Sequence, residues 1–279
     1  MPTPEQVGAA YDEFGDLYAM TIGDVGLHVG RWVEPGERQP VATLGDLANR
    51  AQERQTAHHV TTLGLRPGEH LLDIGCGTGL PAVRMAQHSG GPVTGITVSR
   101  EQVGKATATA ADAGLSDRVS FHYGNVMDLD FADASFDAAM AIDVFVHLSD
   151  QAKGFRETER VLRPGGRFMM SQFTTRGTPA EDVVGAFTKT WCCTTPPTPA
   201  QTVAWAADAG LELEKAEDMT PNCAFSGELM ALLFTERRPD IVARYGEELV
   251  VGMEPLIHLM RTFMRDHCGY YLFVFRKPL

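Results

Sequence analysis

The sequence lacks long apolar runs and clusters of positive charge. No apolar run approaches the roughly 18 residues needed to cross a bilayer. The first five residues contain no basic stretch followed by an apolar one, so no secretory signal is expected. Lys and Arg number 24 against 36 Asp and Glu, which gives a formal net charge of −12. The missing apolar run and signal lead us to expect a cytoplasmic protein without a membrane partner. Because nucleic-acid-binding proteins concentrate positive charge, we expect no nucleic-acid partner either.

Cysteine is scarce and has no metal-site spacing. The chain has five cysteines and no C-x-x-C pair, which fits neither a disulfide framework nor a zinc site. Cys192 and Cys193 are adjacent and therefore poorly placed to chelate one metal ion. The sequence predicts reduced, mostly buried thiols and no metal site.

Strand and helix patterns alternate from residue 70 onward. Helical spacing predicts helices over 4–20 and 44–63. Strands are then expected at 70–74, 92–98, 119–123, 136–142 and 167–173. Helices are expected between them at 80–88, 101–113 and 151–161. This order is typical of a parallel sheet with helices on both faces, a doubly wound α/β fold. Ser99 and Gln102 are placed to form a capping box at the start of the helix over 101–113.

The regular alternation weakens after residue 174. Two further strands are predicted, at 211–216 and 270–275, and the stretch between them is helical and rich in Met, Leu and Phe. We therefore expect a helical N-terminal cap over 1–65 and a nucleotide-binding core over 66–175. The remainder, 176–279, would complete the core, with a helical lid at about 222–267 and a terminal strand.

A glycine-dense turn, Gly75-Cys76-Gly77-Thr78-Gly79, follows the first strand of the sheet. Its glycines let the backbone approach a ligand at the carboxyl edge of the strand. The dinucleotide fingerprint fails because Leu80 stands where the third glycine is required, and no Gly-Lys-Ser/Thr marks a P-loop. The pattern that remains is G-x-G-x-G after a strand that contains Asp73.

This turn, together with later segments, resembles the class I S-adenosylmethionine (SAM)-dependent methyltransferases, in particular bacterial natural-product methyltransferases. The supporting segments lie in order along the chain, at 95–103, 124–128, 135–138 and 161–168. The resemblance implies a Rossmann-like seven-stranded sheet and SAM as the cofactor. It runs from residue 67 to 173 and is weaker elsewhere.

The resemblance also implies which residues contact SAM. The predicted cofactor-binding residues are Asp73, Gly75, Cys76, Gly77, Gly79, Thr97, Gln102, Asn125, Val126, Met127, Asp143 and Tyr18. Two of them depart from the family pattern. Thr97 stands where many methyltransferases have an acidic residue that binds the ribose hydroxyls of SAM. Gln102 therefore either binds the ribose in its place or only caps a helix. Asn125 replaces the usual aspartate, and its amide oxygen can still accept a hydrogen bond from adenine.

His147 is the candidate catalytic base because it follows the fourth strand and titrates near neutrality. A histidine packed beneath the cofactor is the alternative. No aspartate follows the fifth strand, where related O-methyltransferases often have one, which leaves room for carbon acceptors that need no base. The sequence thus predicts methylation of oxygen or carbon on a largely apolar small-molecule natural product. A methyltransferase fold reused as a cyclase and an N-methyltransferase are the alternatives, and a homo-oligomer is possible.

Overall fold

A seven-stranded sheet forms the centre of the molecule. The computed structural model describes residues 1–32 and 43–279. The strands are β1 (Leu71–Ile74), β2 (Val93–Thr97), β3 (Val119–Tyr123), β4 (Phe136–Ile142), β5 (Leu162–Thr175), β6 (Glu212–Asp218) and β7 (Cys268–Arg276). Their order across the sheet is β3-β2-β1-β4-β5-β7-β6. The predicted doubly wound, Rossmann-like seven-stranded fold is confirmed.

Strands β1 to β5 pair in parallel, as the alternating pattern predicts, and the sheet becomes mixed at β7. Strand β7 is antiparallel to both β5 and β6. Two parallel neighbours must be joined by a crossover connection that returns the chain to the starting end of the sheet. Strand β7 instead follows a helical segment and runs back along β5, from Cys268 to Arg276. Strand β5 also begins earlier than predicted, because Leu162 pairs with Phe136 across a register shift.

Ten α-helices are present in the described part of the chain. They are α1 (Pro4–Ile22), α2 (Leu44–Leu63), α3 (Leu80–Ser89), α4 (Arg100–Asp112), α5 (Gln151–Val161), α6 (Glu181–Thr190), α7 (Pro199–Asp208), α8 (Thr220–Glu236), α9 (Arg238–Tyr245) and α10 (Glu247–Thr262). None of the helices in the described residues is long and apolar enough to span a membrane. Short turns of 3-10 and π type occur at Phe145–His147 and Phe263–His267.

Side chains on the two faces of the sheet enter two different apolar clusters. Successive residues of a strand point to opposite faces, so that Leu71 joins one cluster while Leu72 and Ile74 join the other. In the same way Met140 and Ala141 of β4 separate between the clusters. Burial on both faces makes the central strands almost continuously apolar and keeps their carboxyl ends in fixed relative positions.

Helix α1 begins at a capping box, in which Thr3 Oγ1 accepts from the backbone of Gln6 and the Gln6 side chain accepts from the Thr3 backbone. Pro4 occupies the first turn, where its missing N–H costs no hydrogen bond. The helix packs against α4 and α8. It therefore bridges α4, which follows β2, and α8, which follows β6.

Candidate functional site

The glycine turn after β1 is held tightly against the core. The backbone N–H of Cys76 donates to Ile96 O at 2.9 Å, which ties the turn to β2. A methyl group on Gly75 would come within 2.3 Å of Val144 Cγ2, and its φ of +68° is also unfavourable for other residues. Gly79 is similarly enclosed by Phe121. The turn thus needs glycine at these two positions because no space is left for side chains behind them.

A cleft of about 1020 Å³ opens at the carboxyl ends of β1, β2 and β4. Open α/β sheets bind nucleotides in this position, at the carboxyl ends of the strands. Eleven of the predicted site residues line it, namely Asp73, Gly75, Cys76, Gly77, Thr97, Gln102, Asn125, Val126, Met127, Asp143 and His147. We call this space the cofactor cleft.

Two predicted cofactor residues lie outside the lining of the cofactor cleft. Gly79 is at the N-terminus of α3, behind the turn. Tyr18 is buried, and its hydroxyl donates to Thr190 O at 3.1 Å. The expected contact between Tyr18 and the cofactor stays a prediction. Tyr11, two helical turns earlier, lines the cleft instead.

Asp73 contributes a buried carboxylate to the cofactor cleft. Its side chain is 2% exposed, and Oδ2 has no hydrogen-bond partner in the described part of the chain. Burial raises the pKa of this carboxyl well above its usual range. An unpartnered buried anion facing a cleft is suited to a cationic group of a ligand.

Thr97 and Gln102 form a neutral pair on the wall of the cofactor cleft. The Thr97 hydroxyl donates to Gln102 Oε1 at 2.7 Å, so that the two N–H groups of Gln102 Nε2 are not used in this bond. Ser99 Oγ accepts from the Gln102 backbone at 2.9 Å, which is half of a capping box. The reciprocal half does not form because the Gln102 side chain turns to Thr97, so the predicted capping box is wrong.

Asn125 holds the loop after β3 in a tight turn. Its Oδ1 accepts from the backbone N–H of Met127 at 2.9 Å, and the Asp128 N–H donates to the Asn125 carbonyl at 3.0 Å. These bonds present Val126 and Met127 to the cleft. A ligand contact for Asn125 stays a prediction.

Helix α1 forms the outer wall of the cofactor cleft through Pro4, Val7 and Tyr11. The backbone of Gly8 lies against the loop after β2, where an added Cβ would be only 2.1 Å from Val98 O. Asp12 Oδ1 accepts from Ser99 Oγ and from the backbone N–H of Glu101. The helix is thus seated by a close backbone approach and by a carboxylate at the N-terminus of α4.

Replacing Gly8 with alanine is expected to displace α1 and to weaken binding in the cofactor cleft by about tenfold, because the backbone of Val98 cannot move aside. Gly15 is the matched control, since it lies in the same helix and a methyl group there would have no neighbour within 4 Å. Gly15→Ala should leave binding unchanged. Calorimetry measures the affinity of both variants for S-adenosylhomocysteine. Equal affinities would contradict the proposal that the close contact between Gly8 and Val98 holds α1 in place.

A second cavity, of about 640 Å³, adjoins the cofactor cleft. We call it the acceptor cavity. Most of its lining is apolar, from Ile22, Leu27, Val29, Trp32, Val146, Phe173, Phe187, Trp191, Leu229, Met230 and Met264. No Lys or Arg occurs among the lining residues that the structure describes.

Five residues line both spaces and form their common wall: Tyr11, Leu27, His28, Asp143 and His147. His147 Nε2 lies 3.2 Å from the Tyr11 hydroxyl, and its Nδ1 lies 3.2 Å from Cys192 O. Desolvation lowers the pKa of His147 to about 4, so the ring is neutral at pH 7. A neutral imidazole at the junction can accept a proton.

Asp143 is part of this wall, but its carboxylate is engaged within the protein. Oδ1 accepts from the hydroxyls of Ser171 and Tyr270, both at 2.8 Å, and Oδ2 accepts from the backbone N–H of Val29 at 3.2 Å. These bonds join β4, β5 and β7 to the short loop around Val29 that follows α1. The predicted cofactor contact of Asp143 stays a prediction, and the role that the structure displays is to anchor this loop.

Sequence reasoning does not identify the two hydrogen-bond partners of His147 in this wall. Tyr11 is one of several aromatic residues near the N-terminus, and only the fold brings it beside a histidine 136 positions away. The carbonyl of Cys192 carries no sequence signal, because every residue has one. Spacing within α1 could have favoured Tyr11, since it lies on the same face as Pro4 and Val7.

Comparison with known proteins agrees with this geometry. Residues 72–170 match the sequence profile of a family described as methyltransferase domain. The chain is 41% identical over 179 residues to 27-O-demethylrifamycin SV methyltransferase from Amycolatopsis mediterranei, a match covering 64% of this chain and 62% of that protein. It therefore spans about three fifths of that relative's length. It is 32% identical over 277 residues to methyltransferase GfsG from Streptomyces halstedii, covering 98% and 94%.

Among solved structures, the chain resembles the [4+2]-cyclase SpnF, with a TM-score of 0.84 and 30% sequence identity. The alignment covers 100% of this chain and 97% of SpnF. Two activities are thus represented among relatives that match over nearly the whole length. The side chains of the site must therefore indicate which of these two activities the chain has.

Proposed function

The chain belongs to the class I SAM-dependent methyltransferase family, and from that premise we propose that it transfers the methyl group of SAM to a hydroxyl oxygen of a neutral, largely apolar natural product. The observation that carries the proposal is the neutral His147 at the junction of the two spaces, with Nε2 able to accept a proton. Methylation of carbon and cyclisation are the alternatives.

The residues of the cofactor cleft fit SAM. The cofactor carries an ammonium and a sulfonium charge, and the unpartnered Oδ2 of Asp73 offers a buried anion to such a cation. The free N–H groups of Gln102 Nε2 are suited to ribose hydroxyls, in place of the acidic residue common in the family. The turn from Gly75 to Gly77 allows close approach. When bound, SAM supplies an electrophilic methyl group on sulfur.

His147 would take the proton that the acceptor hydroxyl loses. Its Nε2 accepts from the Tyr11 hydroxyl, and an acceptor hydroxyl that replaced this partner would face the same lone pair. Burial raises the pKa of the Tyr11 phenol, so Tyr11 stays protonated and acts only as a donor. Methyl transfer also requires that reactants be aligned and water be excluded, and the apolar walls favour both.

The acceptor cavity favours a neutral acceptor. Its described lining provides no cation to balance a phosphate or carboxylate, and burying an unpaired charge there would be costly. Ser226, Leu229 and Met230 of α8 line it, together with Met264. We propose that the helices between β6 and β7 act as the acceptor lid, within the range 222–267 expected from the sequence.

Incubation with radiolabelled SAM and a panel of hydroxylated polyketides and terpenoids tests the proposal. Labelled O-methyl product and S-adenosylhomocysteine should form in equal amounts, and phosphorylated forms of the same alcohols should not react. A cyclised product formed without S-adenosylhomocysteine would favour the SpnF-like activity instead. A product methylated on carbon would exclude the proposed role of His147.

The pH dependence of the reaction provides a further prediction. Because the pKa of His147 is lowered to about 4, the base is already deprotonated throughout the neutral range. At saturating SAM, kcat/KM for the acceptor should therefore stay level as pH falls from about 7.5 to about 5.5 and should decline only as pH approaches the lowered pKa. A decline centred at the ordinary histidine pKa, near 6.5, would contradict this environment.

A further inference from the structure

The orientation of His147 depends on the segment that follows α6. A backbone carbonyl can only accept a hydrogen bond, so the contact between Nδ1 and Cys192 O requires the proton on Nδ1. The lone pair is then on Nε2, which lies 3.2 Å from the Tyr11 hydroxyl. The hydrogen bonds of His147 within the described residues thus define one of its two neutral tautomers.

Cys192 has an unusual backbone conformation. Its φ is +48°, in the left-handed region that non-glycine residues rarely adopt. The neighbouring bonds hold it there, because the backbone N–H and the Oγ1 hydroxyl of Thr194 both donate to Val146 O at 2.8 Å. The N–H of Cys193 donates to Thr188 O at 2.9 Å. Strained backbone retained by such bonds is often found at functional sites.

We propose that Cys192 is a positioning residue, whose left-handed backbone directs its carbonyl at His147 Nδ1 and so leaves Nε2 as the proton acceptor. The carbonyl fills the position that a carboxylate occupies in a His–Asp pair. It orients the ring without placing a negative charge beside it, so the imidazole remains neutral. The role of Nε2 as the proton acceptor in methyl transfer rests on the proposed function. The tautomer of His147 does not depend on that function.

The tautomer can be measured without any acceptor. The full chain is labelled with ¹⁵N-histidine, and the ring signals of His147 are assigned by their loss in His147→Gln. The expected spectrum shows the proton on Nδ1 and a lone pair on Nε2. A proton on Nε2 would overturn the proposal, even if O-methylation is confirmed.

Variants of Cys192 test the cause. Cys192→Gly keeps the carbonyl and adopts a positive φ readily, so it should retain the tautomer and the rate. Cys192→Val places a β-branched residue where φ is positive, so it should shift His147 toward the other tautomer and lower kcat by roughly tenfold or more. The KM for SAM should stay within about twofold of the wild-type value, since Cys192 is not part of the lining of the cofactor cleft.

Ala134 provides the matched control. It also has a positive φ, +52°, but it is exposed and precedes β4, at the opposite edge of the sheet. Ala134→Val should leave the His147 spectrum unchanged. A folded Cys192→Val protein with the wild-type tautomer would overturn the proposal. If that variant does not fold, Thr194→Val, which removes only the hydroxyl bond to Val146, should shift the tautomer partly, and no shift would overturn the proposal as well.

Discussion

Replacing His147 with glutamine is expected to lower kcat for O-methylation by about 10²- to 10⁴-fold, the usual contribution of a general base. Glutamine is similar in size and can still bond to the Cys192 carbonyl, but it cannot take a proton. The dissociation constant of SAM should change little, because the ring touches the cleft only at its boundary with the acceptor cavity. Single-turnover kinetics and calorimetry separate the two effects.

Two comparisons make this result specific. Tyr11→Phe removes the hydroxyl that bonds to Nε2 but leaves the base, so its loss of kcat should be smaller than that of His147→Gln. His122→Gln alters an exposed histidine on β3 and should have no effect. Full activity in His147→Gln would mean that the acceptor needs no base, as expected for a carbon nucleophile.

Replacing Asp73 with asparagine is expected to weaken SAM binding by about 10- to 100-fold, since hydrogen bonds to charged groups contribute about 1.5–3 kcal/mol. The variant has nearly the same shape but no negative charge to offer the cofactor. The ligand-free protein should not melt at a lower temperature, because burial of this carboxyl, which raises its pKa, is unfavourable without a ligand. Calorimetry and thermal unfolding provide the two measurements.

The same carboxylate predicts how binding depends on pH. Burial raises the pKa of Asp73, so the ligand-free protein takes up a proton at higher pH than an ordinary aspartate would. Binding of a cation favours the ionised form and releases that proton. Affinity for SAM should therefore fall as pH is lowered through the raised pKa of the ligand-free carboxyl and below it, and Asp73→Asn should lack this dependence. Asp117→Asn, at an exposed position, is the control, and parallel pH profiles in all three proteins would contradict the assignment.

Secondary structure was largely predictable because apolar periodicity is a local property. Helix α2 and strands β3 and β4 have the bounds expected from the sequence. The direction of β7 was not predictable in this way, because a strand buried on both faces has the same apolar composition in either direction. The side chain of Gln102 was also ambiguous, since both a capping box and a bond to Thr97 suit its spacing.

The sequence by itself determined the family, the sheet and most of the cofactor cleft. These depend on short segments in which the ligand-facing residues directly follow a strand, as Asp73 and Gly75 lie at the end of β1 or just after it. Only the tertiary structure decided how His147 is placed between Tyr11 and the Cys192 carbonyl, and that Tyr18 bonds to Thr190 rather than facing the cleft. Those contacts join residues far apart in the chain, partly through backbone atoms that every residue shares, so no local pattern specifies them.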